Sequence, residues 1–220
     1  VTMRTWFCTV CLIGVIGIFA SGAVLADPSY FGYTGLIRIP TAEALSEDEF
    51  NMAAFHIEKS EFDDPEVYAG NLGVADDVEV GLAIIRRDGG TDDVFINGKY
   101  SFRGETESRP ALAAGIVDLA SEVDATVYFT MSQGFGKRKE TRYGTVSQAE
   151  FHAGFGGGQL DGLFGGVSAN LGDAVKLMVE YDSEDFNLGA RFKLGNQFRG
   201  DVALFDWGDL GFGVSYNQLY

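Results

Sequence analysis

The chain has 220 residues, 32 of them acidic and 16 basic, for a formal net charge of −16. That balance excludes nucleic acid as a partner, because an acidic chain with no basic stripe repels phosphate. Glycine is abundant (30) while proline (4) and cysteine (2) are scarce, which fits a β-rich exported chain that does not depend on disulfides.

Residues 1–26 read as a signal peptide. Arg4 is the only charge before Asp27, and an apolar run from Trp6 to Ala20 is short for a spanning helix. Val24-Leu25-Ala26 then forms a small-residue cleavage site; an uncleaved membrane anchor is the alternative. Cys8 and Cys11 both lie here, so the mature chain would hold no cysteine nucleophile or metal ligand.

Residues 27–49 form a leading segment built around Thr34-Gly35-Leu36-Ile37-Arg38-Ile39-Pro40-Thr41-Ala42. Leu36, Ile37 and Ile39 would be an exposed apolar run if left free, and Pro40 fixes the exit direction. The segment is therefore expected to be held against the rest of the fold, in a lumen or across one mouth. Thr41 to Leu45 have room for a single helical turn.

From Phe50 onward the pattern is strand after strand. Alternation predicts twelve, over 50–59, 67–74, 78–86, 93–102, 110–119, 124–133, 147–156, 162–171, 174–182, 185–194, 199–206 and 209–219. Turn chemistry separates them, as in Ala75-Asp76-Asp77, Gly172-Asp173 and Asp206-Trp207-Gly208-Asp209. Gly134–Val146 and three shorter stretches are expected as the long loops.

Side chains alternate between the two faces of a strand. Val175, Leu177, Val179 and Tyr181 share one face, and Phe186, Leu188, Ala190, Phe192 and Leu194 share one face of the next strand. The opposite faces are dominated by Gly, Ser, Thr and Asn with a few charges of both signs, whereas a water-exposed sheet face would carry many Lys and Glu. This pattern predicts an all-β fold: an antiparallel transmembrane β-barrel of about 12 strands, apolar outside and small-polar inside, over residues 50–220.

Lumen-facing candidates are His56, Glu58, Asn97, Lys99, His152, Lys176, Glu180, Asn187 and Arg191. Lys176, Glu180, Asn187 and Arg191 are expected to share one lumen, since they have common parity on two strands joined by a tight hairpin. The final stretch, Leu210–Tyr220, puts Phe212, Val214 and Tyr216 on one face and Gly213, Ser215 and Asn217 on the other. Phe212, Tyr216 and Tyr220 form the expected recognition feature for the barrel-assembly machinery. Closure by pairing with the first strand would place the lipid-facing set beside Ala53, Phe55 and Ile57, and the lumen set near His56 and Glu58.

The motif over Thr34–Ala42 resembles the opening of YjbH-type proteins, as do the blocks Asn97-Gly98-Lys99-Tyr100 and Glu180–Asn187. In that family a Gly-Leu-Ile, two variable residues and Pro-Thr/Ser-Ala precede the first strand; here these are Gly35, Leu36, Ile37, Pro40, Thr41 and Ala42. The resemblance runs from about residue 31 to the end, in a chain shorter than the larger family members. It implies a barrel in the bacterial outer membrane and extends to exopolysaccharide production, with export components as partners. It carries no catalytic residues.

The residues themselves offer little chemistry. His56 and His152 are the two histidines. With Ser60 and Ser147 as the nearest serines in sequence, a hydrolase triad would need the lipid-facing side near a rim, and His152 has the other parity. His56 with Glu58 and His152 with Glu150 have only strand spacing, so no metal or cofactor is expected. Asp182 to Asp185 lack the ligand spacing of a calcium loop and read as an acidic hairpin turn. Three classes result: a non-enzymatic barrel serving envelope or exopolysaccharide biogenesis, a small diffusion channel, and, least favoured, a membrane hydrolase.

Overall fold

The computed structural model describes residues 26–59, 64–87, 90–120, 123–141 and 144–218. The expected signal peptide, apart from Ala26, and Tyr220 lie outside these residues.

Twelve strands follow one another in chain order. The first four are β1 (Phe50–Glu58), β2 (Glu66–Ala75), β3 (Val78–Arg86) and β4 (Asp93–Arg103). Then come β5 (Ala111–Val117), β6 (Thr126–Thr141), β7 (Gly144–Gly156) and β8 (Gly162–Leu171). The last four are β9 (Val175–Tyr181), β10 (Phe186–Lys193), β11 (Phe198–Phe205) and β12 (Asp209–Gln218). Each pairs antiparallel with its sequence neighbours, and β12 pairs with β1 from Phe50↔Gln218 to Glu58↔Leu210. The barrel is therefore closed and has no free edge to satisfy in lipid.

The outer surface is a continuous apolar belt. Leu82, Ile96, Val127, Phe155, Val179 and Phe212 are among its exposed members. Aromatic rings cluster near both ends. At the end that carries the termini, Tyr216 meets Phe50 in a tilted contact and Phe198 edge-on, with centroids 6.0 and 5.2 Å apart. Tyr181 and Phe186 meet at 5.1 Å at the other end. This is the girdled exterior of a transmembrane barrel.

Three local expectations need correction. Gly134–Val146 is not a loop: β6 and β7 stay paired out to Thr141↔Gly144, past a bulge between Phe135 and Arg138. This ribbon extends beyond the last partners of β5 and β8, so it has no neighbouring strand to pair with on either side. Residues 41–45 form no helical turn. The third correction concerns β1, whose faces are reversed. Phe55 (3% exposed) and Ala53 point inward, while His56 and Glu58 point outward. The reason is that the barrel interior is itself apolar at this height: the Tyr30 ring stacks on Phe55 at 4.3 Å. Gly213, opposite Phe55 in register, leaves the space that ring occupies. His56 instead pairs across to Glu66, and Glu66 to Arg86, making an outward polar row at the rim. On β12 the faces are as expected: Phe212 and Val214 are outside, and Ser215 and Asn217 are buried inside.

The hydrophobic core lies inside the barrel. It joins wall residues such as Val67, Phe95, Phe164 and Met178 to Tyr30, Tyr33, Leu36, Ile37 and Ile39 of the leading segment.

Candidate functional site

The leading segment fills the lumen. It folds into a compact knot of turns, with Ser29 N donating to Tyr33 O at 2.8 Å, Tyr30 N to Ile37 O at 2.8 Å and Leu36 N to Ile39 O at 3.0 Å. Gly35 sits where the chain doubles back, since a Cβ there would collide with the Ile39 carbonyl. Leu36 and Ile37 are essentially unexposed. They press on wall glycines: a Cβ on Gly166 would stand 2.9 Å from Leu36 Cδ1, and one on Gly189 2.8 Å from Ile37 Cδ1. Glycine inside a strand normally weakens a sheet; here it makes room for the plug.

Polar groups from the wall tether the knot. Glu180 on β9 accepts the backbone N–H groups of Ile37 at 3.0 Å, Arg38 at 2.6 Å and Ile39 at 3.4 Å. Arg38 also pairs with Asp182 at 2.7 Å. Glu79 on β3 accepts the Thr34 hydroxyl at 2.8 Å and the Leu45 N–H at 3.2 Å. Lys99 on β4 donates to the carbonyls of Thr34 and Glu43, each at 2.8 Å, and meets the Thr34 hydroxyl. Arg191 on β10 donates to Pro28 O at 2.9 Å and Leu36 O at 3.2 Å while pairing with Asp201 at 2.6 Å and Asp27 at 3.3 Å.

Smaller contacts complete the ring. Asn51 and Asn71 donate to the carbonyls of Ala26 and Gly32, each at 2.7 Å. Asn217 donates to Asp27 Oδ1 at 3.1 Å. Pro40 O accepts from Thr130, and Ala42 N donates to Ser132 Oγ at 2.9 Å. Ala42 packs against Ala111 and Ala113, and Thr41 is buried. Every residue of the Thr34–Ala42 motif thus sits in the plug. Backbone groups that would be orphaned in a dry lumen are satisfied by the wall.

Seven of the nine lumen candidates lie inside: Asn97, Lys99, His152, Lys176, Glu180, Asn187 and Arg191. Lys99, Glu180 and Arg191 hold the plug directly. Asn187 supports Glu180 at 3.3 Å, and the Asn97 Oδ1 accepts the Asp118 N–H at 3.2 Å. Lys176 lies 4.0 Å from Glu150. His56 and Glu58 are outside and take no part. Sequence reasoning missed Glu79, Asp201 and Asp27. Parity held a signal for the first two, since Glu79 stands between Val78 and Val80, and Asp201 between Gly200 and Val202.

His152 Nδ1 lies 2.9 Å from Ser132 Oγ, a contact that resembles half of a hydrolytic triad. Both groups are buried. Ser132 Oγ is already engaged by Ala42 N and stands 3.3 Å from Glu43 Oε2, so the pair lies under the plug with no room for an acyl group. Inside the plug, burial pushes the Tyr33 phenol far above its ordinary range. It stays neutral and donates to the Arg38 carbonyl.

Cavities open at both ends. The one at the termini end is lined by Asp27, Lys176, Arg191 and Arg199. The one at the opposite end measures about 390 Å³ and is floored by Tyr30, Phe31 and Arg38. The plug supplies residues to both and stands between them.

No family model and no curated protein matches the chain. Among solved structures it is similar to KdgM porin, with TM-score 0.56 and 10% identity over 77% of this chain and 99% of that one. Omp33 of Acinetobacter baumannii aligns with TM-score 0.46 and 8% identity, covering 79% and 99% of the two chains. A Rhodopseudomonas blastica porin mutant aligns with TM-score 0.36 and 11% identity over 70% and 55%. At such identities the likeness to KdgM porin is one of fold alone: a closed antiparallel barrel.

Proposed function

We propose that the chain is a non-enzymatic bacterial outer-membrane barrel, held shut by its own residues 27–45, that serves envelope or exopolysaccharide biogenesis rather than free diffusion. The observation that carries this reading is the plug, whose apolar motif is buried and tied to the wall by Glu79, Lys99, Glu180 and Arg191. A general diffusion pore keeps a polar, water-filled lumen; this one holds a packed apolar core. The outer belt and aromatic girdles support lipid of the outer membrane as its surroundings, reached through removal of residues 1–26 and the barrel-assembly machinery. The YjbH-like motif is the support for an exopolysaccharide role with export components as partners.

The second reading is a gated channel, favoured by the cavities at both ends. Gene deletion separates the two. Surface polysaccharide should fall, with recovery by the wild-type gene, while uptake of small solutes stays unchanged. Loss of solute uptake with normal polysaccharide would favour the channel.

A further inference from the structure

The cavity at the end opposite the termini has features that plugging the lumen does not require. Its volume of about 390 Å³ falls in the lower part of the usual ligand-pocket range of ~300–1,000 Å³, which limits an occupant to a small molecule. Its inner wall is apolar, formed by Ile57, Val67, Ile85 and Phe205, above a floor of Tyr30, Phe31 and Arg38.

Charges of both signs surround it, and Arg38 of the floor, paired with Asp182 at 2.7 Å, lies beside an acidic side that outnumbers it. Lys59 and Arg87, which follow β1 and β3, supply the basic side. Asp185 and Asp206, on the β9–β10 and β11–β12 turns, supply the acidic side. Asp206 is held firmly: Gly208 N donates to Phe205 O at 2.9 Å, and Asp206 and Trp207 both take positive φ, which makes a rigid primed turn. Partial desolvation, with Asp206 and Asp182 close by, raises the Asp185 carboxyl above its usual range. Arg38 offsets this in part, and a further cation would relieve the rest.

A second observation is independent of the rim. Asn187 and Tyr30 line the cavity, are almost wholly buried, and each carries a polar atom with no hydrogen-bond partner: Asn187 Oδ1 and the Tyr30 hydroxyl. The Asn187 amide orientation is fixed, because its Nδ2 donates to the carboxylates of Glu180 and Asp182. Its Oδ1 is left as an acceptor on the acidic side. Buried acceptors without partners are costly, and a ligand donor would satisfy this one.

We propose that this mouth cavity binds a small apolar zwitterion, an α-amino acid with an aliphatic or aromatic side chain. Its ammonium would face Asn187, Asp185 and Asp206, its carboxylate would face Lys59 and Arg87, and its side chain would lie against Val67, Ile85 and Phe205. A neutral sugar would leave these charges unused. Because Tyr30 and Phe31 belong to the plug, the occupant would rest on the closed form. The proposal concerns the mouth alone and holds whether or not the barrel conducts.

Calorimetric titration of the full chain in detergent micelles tests it, with L-leucine, N-acetyl-leucine (anionic only) and leucinamide (cationic only) as probes. L-leucine should bind saturably, and each blocked form about tenfold or more weakly. The D185N/D206N double variant, its fold checked by heat-modifiable gel migration, should lose about tenfold in leucine affinity and leave N-acetyl-leucine unchanged. No saturable binding by leucine, equal binding by a blocked form, or an unaltered double variant would each overturn the proposal.

Discussion

Glu180→Gln is the sharpest perturbation of the plug. The carboxylate accepts three consecutive backbone N–H groups, from Ile37, Arg38 and Ile39, and a fourth bond from Asn187. Glutamine keeps the volume but removes the charge and turns one of the two oxygens into a donor. Hydrogen bonds to a charged acceptor contribute about 1.5–3 kcal/mol each, and a buried donor left unpaired costs about 1–3 kcal/mol. Neutralising a buried charge returns part of this, since its desolvation penalty disappears. The orphaned donors outweigh that return, because among the described residues Glu180 is the acceptor for all three. A net loss of about 3 kcal/mol in docking corresponds to roughly a hundredfold shift toward the undocked segment. Hydrogen exchange by mass spectrometry reads it directly: protection over residues 37–39 should fall about a hundredfold, while the strand amides of β9 and β10 keep theirs. Protection of 37–39 within about threefold of wild type would refute the reasoning.

Three further variants probe other parts. Gly189→Val places a Cβ 2.8 Å from Ile37 Cδ1, an overpacking that costs about 1–3 kcal/mol and should expose residues 34–42 to protease while heat-modifiable migration persists. Arg191→Met leaves Asp27 and Asp201 buried without their cation; a loss of about 3–5 kcal/mol should show as a lower urea midpoint, and an unchanged midpoint would contradict the network's role. Leu177→Arg puts a charge on the outer belt, where it should cost about 2–4 kcal/mol in a bilayer if the belt faces lipid, read from unfolding in lipid vesicles.

The strands were legible because one outward face runs apolar on nearly every one, and Val175–Leu177–Val179–Tyr181 is a clear instance. The twelve elements and the closure of β12 on β1 follow from that alternation and from the turn residues. The rule that apolar means outward failed on β1, where Phe55 is buried against Tyr30 rather than lipid. A lumen that contains an apolar plug makes both faces of a strand apolar, and alternation then cannot choose between them. The missed hairpin extension beyond Gln133 has another cause: past the last partners of β5 and β8 the two strands pair only with each other, and the sequence there shows no apolar alternation to mark them. The motif over Thr34–Ala42 signalled attachment through Leu36, Ile37 and Ile39. Of its tethers, Lys99, Glu180 and Arg191 were legible as lumen-facing and Glu79 was not; that they converge on one segment was hidden because each comes from a different strand. Only the closed barrel brings them around one segment.

Planar-bilayer recording of the full chain beside a variant lacking residues 27–45 tests the closed lumen most directly. The full chain should stay electrically silent, and the deletion should open steady ohmic steps through the same wall. Steps of equal size from both proteins would show that the leading segment does not block the barrel and would contradict the account.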